Sequence, residues 1–220
     1  MKNQNTQNLK LVFDLDNTLL FRDQAMLDCI EHLFNHQLST CQKATIQKKD
    51  EQGHSDRIHF CQWLKTFLDL SIKTATIWSL ISQNIGQFVT INTTTNSVLS
   101  TLQAKYECIL LTNGGIENQS KKIAQTGLNN FFPSSHIFIS EALGTKKPEL
   151  ATFQLVENQF GTNARFCMIG DHWEKDILGA ANAGWYGVHL TTKPRLTNSK
   201  KIISIASLLL LEKALNKWKT

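Results

Sequence analysis

The chain has 220 residues, 41% of them hydrophobic and 19% charged, with a formal net charge of +5. That is the composition of a soluble globular protein with room for one sizeable core, or for a core carrying an inserted subdomain. No aliphatic run is long enough to span a membrane, and no arginine-rich stripe interleaved with aromatics points to nucleic acid, so small anionic molecules are the expected partners.

The polar start MKNQNTQNLK lacks the apolar centre of a signal peptide, and the expected location is the cytoplasm. Residues 9–13 then form an apolar run suited to a strand buried on both faces. From about 20 to 92 no strand pattern occurs, but amphipathic stretches cover 23–36, 57–70 and 72–89. In the first of them Met26, Leu27, Ile30, Leu33 and Phe34 share one helix face. The polar segment CQKATIQKKDEQGHSD between the first two has no periodicity, which predicts a mobile loop over 39–57. Its basic residues Lys43, Lys48, Lys49 and Arg57 would be a solvated surface or would steer anionic substrates. A helix over 98–105 follows, then strand-like runs at 107–111, 136–139, 165–169 and 186–190. Helical patterns lie at 115–126, 149–159 and 174–183, and a last covering helix is expected over 203–218. Strands alternating with helices predict an α/β fold with a doubly wound, Rossmann-like parallel sheet. The expected division is a core of residues 1–19 and 93–220 and a helical cap subdomain of 20–92.

The five cysteines are odd in number and lack CxxC spacing, against a disulfide framework or a zinc site. His32 and His36 lie four apart on a helix but have no third ligand in view, so they read as a solvated face.

The stretch LVFDLDNTLL places Asp14 and Asp16 at the mouth of the first strand. Like charges about 4 Å apart repel by roughly 4 kcal/mol at an effective dielectric near 20, so a cation is expected between them. An N-cap role would explain one polar residue and not both aspartates. A calcium loop fails because Leu19 stands where it needs glycine and Ala25 where it needs glutamate. In doubly wound sheets ligands bind beyond the carboxyl ends of the strands. Those ends here would bring together Asp14 and Asp16, then Thr112, Asn113 and Gly114, then Lys146 or Lys147, then Asp171 and Asp176. His172 and Trp173 would line the entrance or form a plain surface turn.

Four separated motifs occur in order: DxDxT as Asp14–Thr18, an apolar strand ending in Thr112, the pair Lys147–Pro148, and GDxxxxD as Gly170–Asp176. In this the chain resembles the haloacid dehalogenase superfamily, most of whose members are magnesium-dependent phosphohydrolases. The resemblance implies a Rossmann-like core, with 20–92 as a small helical cap. It implies a magnesium ion on Asp14, the main-chain carbonyl of Asp16, and Asp171. Asp14 would attack phosphorus and become an aspartyl-phosphate, with Asp16 as general acid and then base. Thr112, with Asn113 and Gly114 at a helix start, would bind the phosphoryl group, and Lys147, which directly precedes the proline, would face it. Asp176 would hold the lysine or a metal-bound water. The expected activity is hydrolysis of a small phosphorylated metabolite by a monomer or homodimer. The runners-up are a phosphomutase, a C–P-cleaving member, and a receiver-like phosphoryl-binding protein, whose acids come in the opposite order. A true dehalogenase would lack Asp16, and a silent scaffold would not need the complete set.

Overall fold

The computed structural model describes residues 8–91 and 93–218. The chain divides into two compact units, one of Met1–Leu20 with Ile91–Thr220 and the other of Phe21–Thr90. In chain order, β1 (Leu9–Phe13) is followed by α1 (Arg22–Leu33), α2 (Thr40–Asp50), α3 (Arg57–Phe67) and α4 (Thr74–Asn84). Then come α5 (Thr93–Gln103), β2 (Glu107–Thr112), α6 (Ile116–Gln125), β3 (Ile137–Ile139), α7 (Ser140–Leu143) and α8 (Leu150–Phe160). The chain continues through β4 (Arg165–Gly170), a π-helical turn (Trp173–Leu178), α9 (Gly179–Asn182), β5 (Tyr186–Leu190), β6 (Ile202–Ile205) and α10 (Leu211–Leu215).

The larger unit is built on a six-stranded sheet of order β3-β2-β1-β4-β5-β6, every neighbouring pair parallel. An all-parallel sheet needs both faces covered, which is why its strands read as near-continuous apolar runs. On one face Val12, Ile109, Leu111 and Met168 pack against Phe153 and Val156 of α8 and against Trp185. Full burial of each such side chain stabilises the fold by roughly 1.5–3 kcal/mol. Strand order reverses at β1, which has β2 on one side and β4 on the other. The carboxyl ends of β1 and β4 therefore flank the switch-point crevice.

One element departs from the sequence expectation here. Residues 203–218 are not a single covering helix, because Ile202–Ile205 forms β6, paired with β5, and only the short α10 follows the turn at 208–210. The β-branched IISI was the available signal. At four residues it was too short to separate from the apolar residues that follow.

The smaller unit carries α1 to α4, and its second helix overturns the loop expected over 39–57. The Ser39 hydroxyl accepts the Gln42 N–H at 3.3 Å while the Gln42 side chain accepts the Ser39 N–H at 3.0 Å. This is a capping box, and S-T-C-Q was legible as one. The helix then hides its anchor in a charge. Asp50, only 2% exposed, pairs with Arg22, accepts from Arg57 at 2.7 Å and takes the Gly53 N–H at 2.9 Å. Burial works against its ionised form, yet Arg22 and Arg57 outweigh that and hold its carboxyl below the usual range. Arg57 is thus committed to Asp50, and Lys43 to Glu31 at 3.1 Å, rather than offered to a substrate.

Removing Asp50 takes the main carboxylate from two guanidinium groups, one of them buried, and leaves Arg22 with Asp23 and Arg57 with Ser55. Asp50→Ala is expected to cost about 3–5 kcal/mol in denaturant unfolding, against about 1 kcal/mol for Ser39→Ala at the cap. Since the folded pKa of Asp50 is lowered, its contribution is complete above about pH 4 and is lost as pH falls through the folded value. Equal costs for the two variants would return 39–57 to the status of a loop.

Candidate active site

The site lies in the larger unit at the carboxyl ends of β1, β2 and β4. Asp14 continues β1 by donating its N–H to the Ile169 carbonyl at 2.9 Å. Three residues beyond, Asn17 takes a φ of 60, a left-handed conformation that asparagine tolerates better than most residues. The chain thereby turns back, and both Leu19 and Leu20 donate to the Leu15 carbonyl.

Lys147 organises the charges. Its side chain is 2% exposed, and its Nζ donates to Asp14 Oδ1 at 2.7 Å and sits 2.7 Å from Asp176 Oδ1. Burial alone would neutralise the amine, but the two carboxylates override it and raise its pKa. Asn113 clamps this lysine's backbone from both sides, donating to its carbonyl at 2.9 Å and accepting its N–H at 3.0 Å. Lys146, the neighbouring candidate, takes no part in this pairing.

Asp171 completes the acidic group. One oxygen each of Asp14, Asp171 and Asp176 lie within 4.8 Å of one another. Desolvation, with repulsion from Asp176 and Asp16 only partly offset by Lys147, pushes Asp14 up to about 7. Desolvation and the charges of Asp14 and Asp176 push Asp171 up to about 8. The Thr18 hydroxyl accepts the Asp171 N–H at 3.1 Å, so the last residue of DxDxT locks the first motif to the fourth. His189 adds a second tie, its Nε2–H donating to the Asp171 carbonyl at 3.0 Å.

The glycine of GDxxxxD has a steric cause. A Cβ on Gly170 would stand 2.3 Å from Asp176 Oδ2, so only glycine lets that carboxylate approach the strand. The π-helical turn brings Asp176 back to it, and Asp176 Oδ2 accepts the His172 N–H at 3.1 Å. His172 also caps the turn, its Nδ1 accepting the Lys175 N–H at 3.2 Å. Trp173 lies over His189, with ring centroids 5.2 Å apart. Asp176 thus meets Lys147 with one oxygen and the His172 amide with the other.

Asp16 has a cation of its own. Both its oxygens accept from Lys122 Nζ, at 2.7 and 2.9 Å, and Gln119 Nε2 donates to Oδ2 at 3.0 Å. The structure places a separate lysine beside each of the two motif aspartates, Lys147 on Asp14 and Lys122 on Asp16. Gln119 and Lys122 are buried on one face of α6 and went unread. Their signal was present: the three-residue spacing put two polar residues on the face that an amphipathic helix keeps apolar.

Around Thr112 the Asn113 side chain and the first amides of α6 have partners within the chain. The Asn113 side chain is committed to Lys147, so a phosphate contact there would come from its main chain. Gly114 donates its N–H to Ser140 Oγ at 2.9 Å, and Ile116 donates to Glu141 Oε2 at 2.7 Å. The start of α6 is therefore capped from within at these two amides. Thr112 is buried, and its hydroxyl accepts from Gln119 Nε2 at 2.7 Å.

The donor set suits a hard divalent cation. Asp14, Asp16, Asp171 and Asp176 face two lysines, and all the side-chain donors in the acidic group are oxygens. Ionising the whole set leaves negative charge in excess, which adds to desolvation in raising Asp14 and Asp171. A carboxylate whose folded pKa is raised contributes fully below its unfolded value of about 4 and loses that contribution as pH rises through the folded value. In excess chelator the protein is therefore expected to melt lower at pH 8 than at pH 5.5, and Asp171→Asn to shrink the difference. A melting temperature flat across that range would contradict the charge excess.

The sequence profile of the haloacid dehalogenase-like hydrolases matches residues 11–188. Pyrimidine 5'-nucleotidase YjjG of Escherichia coli is 33% identical over 104 residues, covering 44% of this chain and 45% of that protein. The chain thus spans less than half of that relative's length. Glyceraldehyde 3-phosphate phosphatase of Pyrococcus furiosus is 27% identical over 187 residues, 79% of this chain and 77% of that one. Among solved structures, YfnB of Bacillus subtilis, assigned as a HAD hydrolase and solved bound to magnesium, superposes with a TM-score of 0.77 at 23% identity, covering 96% and 99% of the two chains. That likeness concerns the fold. A profile match over most of the chain, with its four motifs meeting at the switch point of the sheet, places this chain in the haloacid dehalogenase-like hydrolase family.

Proposed function

We propose that this protein is a magnesium-dependent phosphomonoester hydrolase acting on a small phosphorylated metabolite through an aspartyl-phosphate on Asp14. The observation that carries the reading is the unlike housing of the two motif aspartates. Asp14 is buried against Lys147 and shares the acidic group, whereas Asp16 is half-buried on Lys122 outside that group. Two carboxylates in such different surroundings suit two different tasks.

Asp14, the main-chain carbonyl of Asp16, and Asp171 would hold the magnesium ion. When bound, the ion would neutralise the incoming dianion and polarise its phosphoryl oxygens. Lys147 fixes the rotation of the Asp14 carboxylate and sets a positive charge beside it, which screens the approach of nucleophile to phosphate. Asp14 forms the bond to phosphorus as the bond to the leaving oxygen breaks, and Asp16 supplies that oxygen's proton. In the second step Asp16 takes the proton from the attacking water, the Asp14–phosphorus bond breaks and inorganic phosphate departs. Thr112 would hold a phosphoryl oxygen through its hydroxyl. The helical unit Phe21–Thr90 would act as the cap that selects the substrate. Relatives named for pyrimidine nucleotides and for glyceraldehyde 3-phosphate favour compounds of that size for the first assays.

Turnover of p-nitrophenyl phosphate is expected to need magnesium, to vanish in excess chelator and to be inhibited by calcium, whose looser coordination would draw in both Asp14 oxygens. Asp14→Asn should reduce turnover to background, and Asp16→Asn should slow an alkyl phosphate by roughly 10²–10⁴-fold. Mass spectrometry of acid-quenched reactions should find the phosphoryl adduct on Asp14. Full activity in chelator, or an adduct mapped to Asp16, would overturn the reading.

A further inference from the structure

Lys122 and Gln119 make a buried polar pair that no motif of the family assignment uses. Lysine is almost never this buried without a partner, and here the partner is the Asp16 carboxylate, gripped at both oxygens. Gln119 Nε2 binds Asp16 Oδ2 at 3.0 Å and Thr112 Oγ1 at 2.7 Å, so one nitrogen spans the two groups. The same nitrogen reaches the Asn113 carbonyl at 3.4 Å. A hydroxyl has one proton to give and two lone pairs to accept with. Gln119 occupies an acceptor position on Thr112 and leaves its proton a long 3.5 Å contact with the Asn113 carbonyl.

The surrounding chain is shaped to hold this arrangement. Gly114 has a φ of +150, and a Cβ there would lie 3.0 Å from the Gln119 side chain. Glycine thus opens the room that Gln119 occupies. Glu141 and Ser140 hold the first turn of α6 from below, fixing the helix that carries both residues.

We propose that Lys122 and Gln119 are positioning residues that set the orientation of the Asp16 carboxylate beside Thr112. This rests on the phosphatase reading above and adds to it the means by which the acid–base group is aimed. Asp16 lies in the turn beyond the end of β1, and three hydrogen bonds from one helix hold its carboxylate in one orientation. A misplacement of about 1 Å can cost on the order of 10²-fold in rate.

The test compares leaving groups. Lys122→Met keeps the length of the stem and removes the donor. It is expected to lower kcat about 10–100-fold on an alkyl phosphate. The first step with p-nitrophenyl phosphate, whose leaving group needs less protonation, should fall far less, with KM nearly unchanged for both. Lys122→Arg should restore most of the loss. Because Lys122 acts through Asp16, the double variant Lys122→Met, Asp16→Asn should be no slower than Asp16→Asn alone. Should Lys122→Met not fold, Lys122→Gln carries the same comparison. Equal losses on the two esters, a change confined to KM, or multiplying losses in the double variant would overturn the role of Lys122 while leaving the phosphatase reading intact. A wild-type protein that turns over neither ester would overturn that reading and this proposal with it.

Discussion

The site depends on one buried cation. Lys147 touches two carboxylates from different parts of the chain, Asp14 after β1 and Asp176 at the π-helical turn after β4, and both contacts are 2.7 Å long. Without that charge, three carboxylates would share a desolvated pocket and lose the cation that touches two of them. The contact also explains its neighbours. Asn113 exists in this geometry to hold the backbone of Lys147 in place, and Gly170 is a glycine because Asp176 must come close enough to reach the lysine.

The parallel sheet makes such a meeting possible. With β2 and β4 on either side of β1, segments about a hundred or more residues apart end side by side. The Thr18 hydroxyl then joins the first motif to the fourth through the Asp171 amide. Each of these ties uses a polar group at the end of a strand, where the ladder has run out of backbone partners. Residues that touch phosphate in the proposed reaction and residues that only aim them are woven from the same few loops.

Charge also shapes the smaller unit. A helix of mean polarity as high as α2 would have little apolar surface to hold it down, and Ile46 alone is a small anchor. The Arg22–Asp50–Arg57 network supplies the rest, and it does so from inside the fold, where ionic contacts are weakly screened by salt. The same physics thus serves structure in one unit and chemistry in the other.

The order and type of the strands β1 to β5 were legible because a buried parallel strand must be apolar on both faces. Asp14, Asp16, Lys147, Asp171 and Asp176 stood out as charged residues in the loops after such strands, and Thr112 as a polar residue closing one, and the structure brings them to one end of the sheet. Composition and spacing went no further. The strand β6 was too short for its own period to stand out, and α2 hid its buried anchor in an aspartate, a residue that pattern reading assigns to the surface. Lys122 and Gln119 were hidden in the same way, polar residues on a helix face that the pattern treats as apolar. That Lys147 meets Asp14 and Lys122 meets Asp16 was decided by tertiary structure alone, because a pairing across more than a hundred residues leaves no trace in local sequence. A period records whether a side chain meets water or the interior, and it is silent about which buried charge meets which.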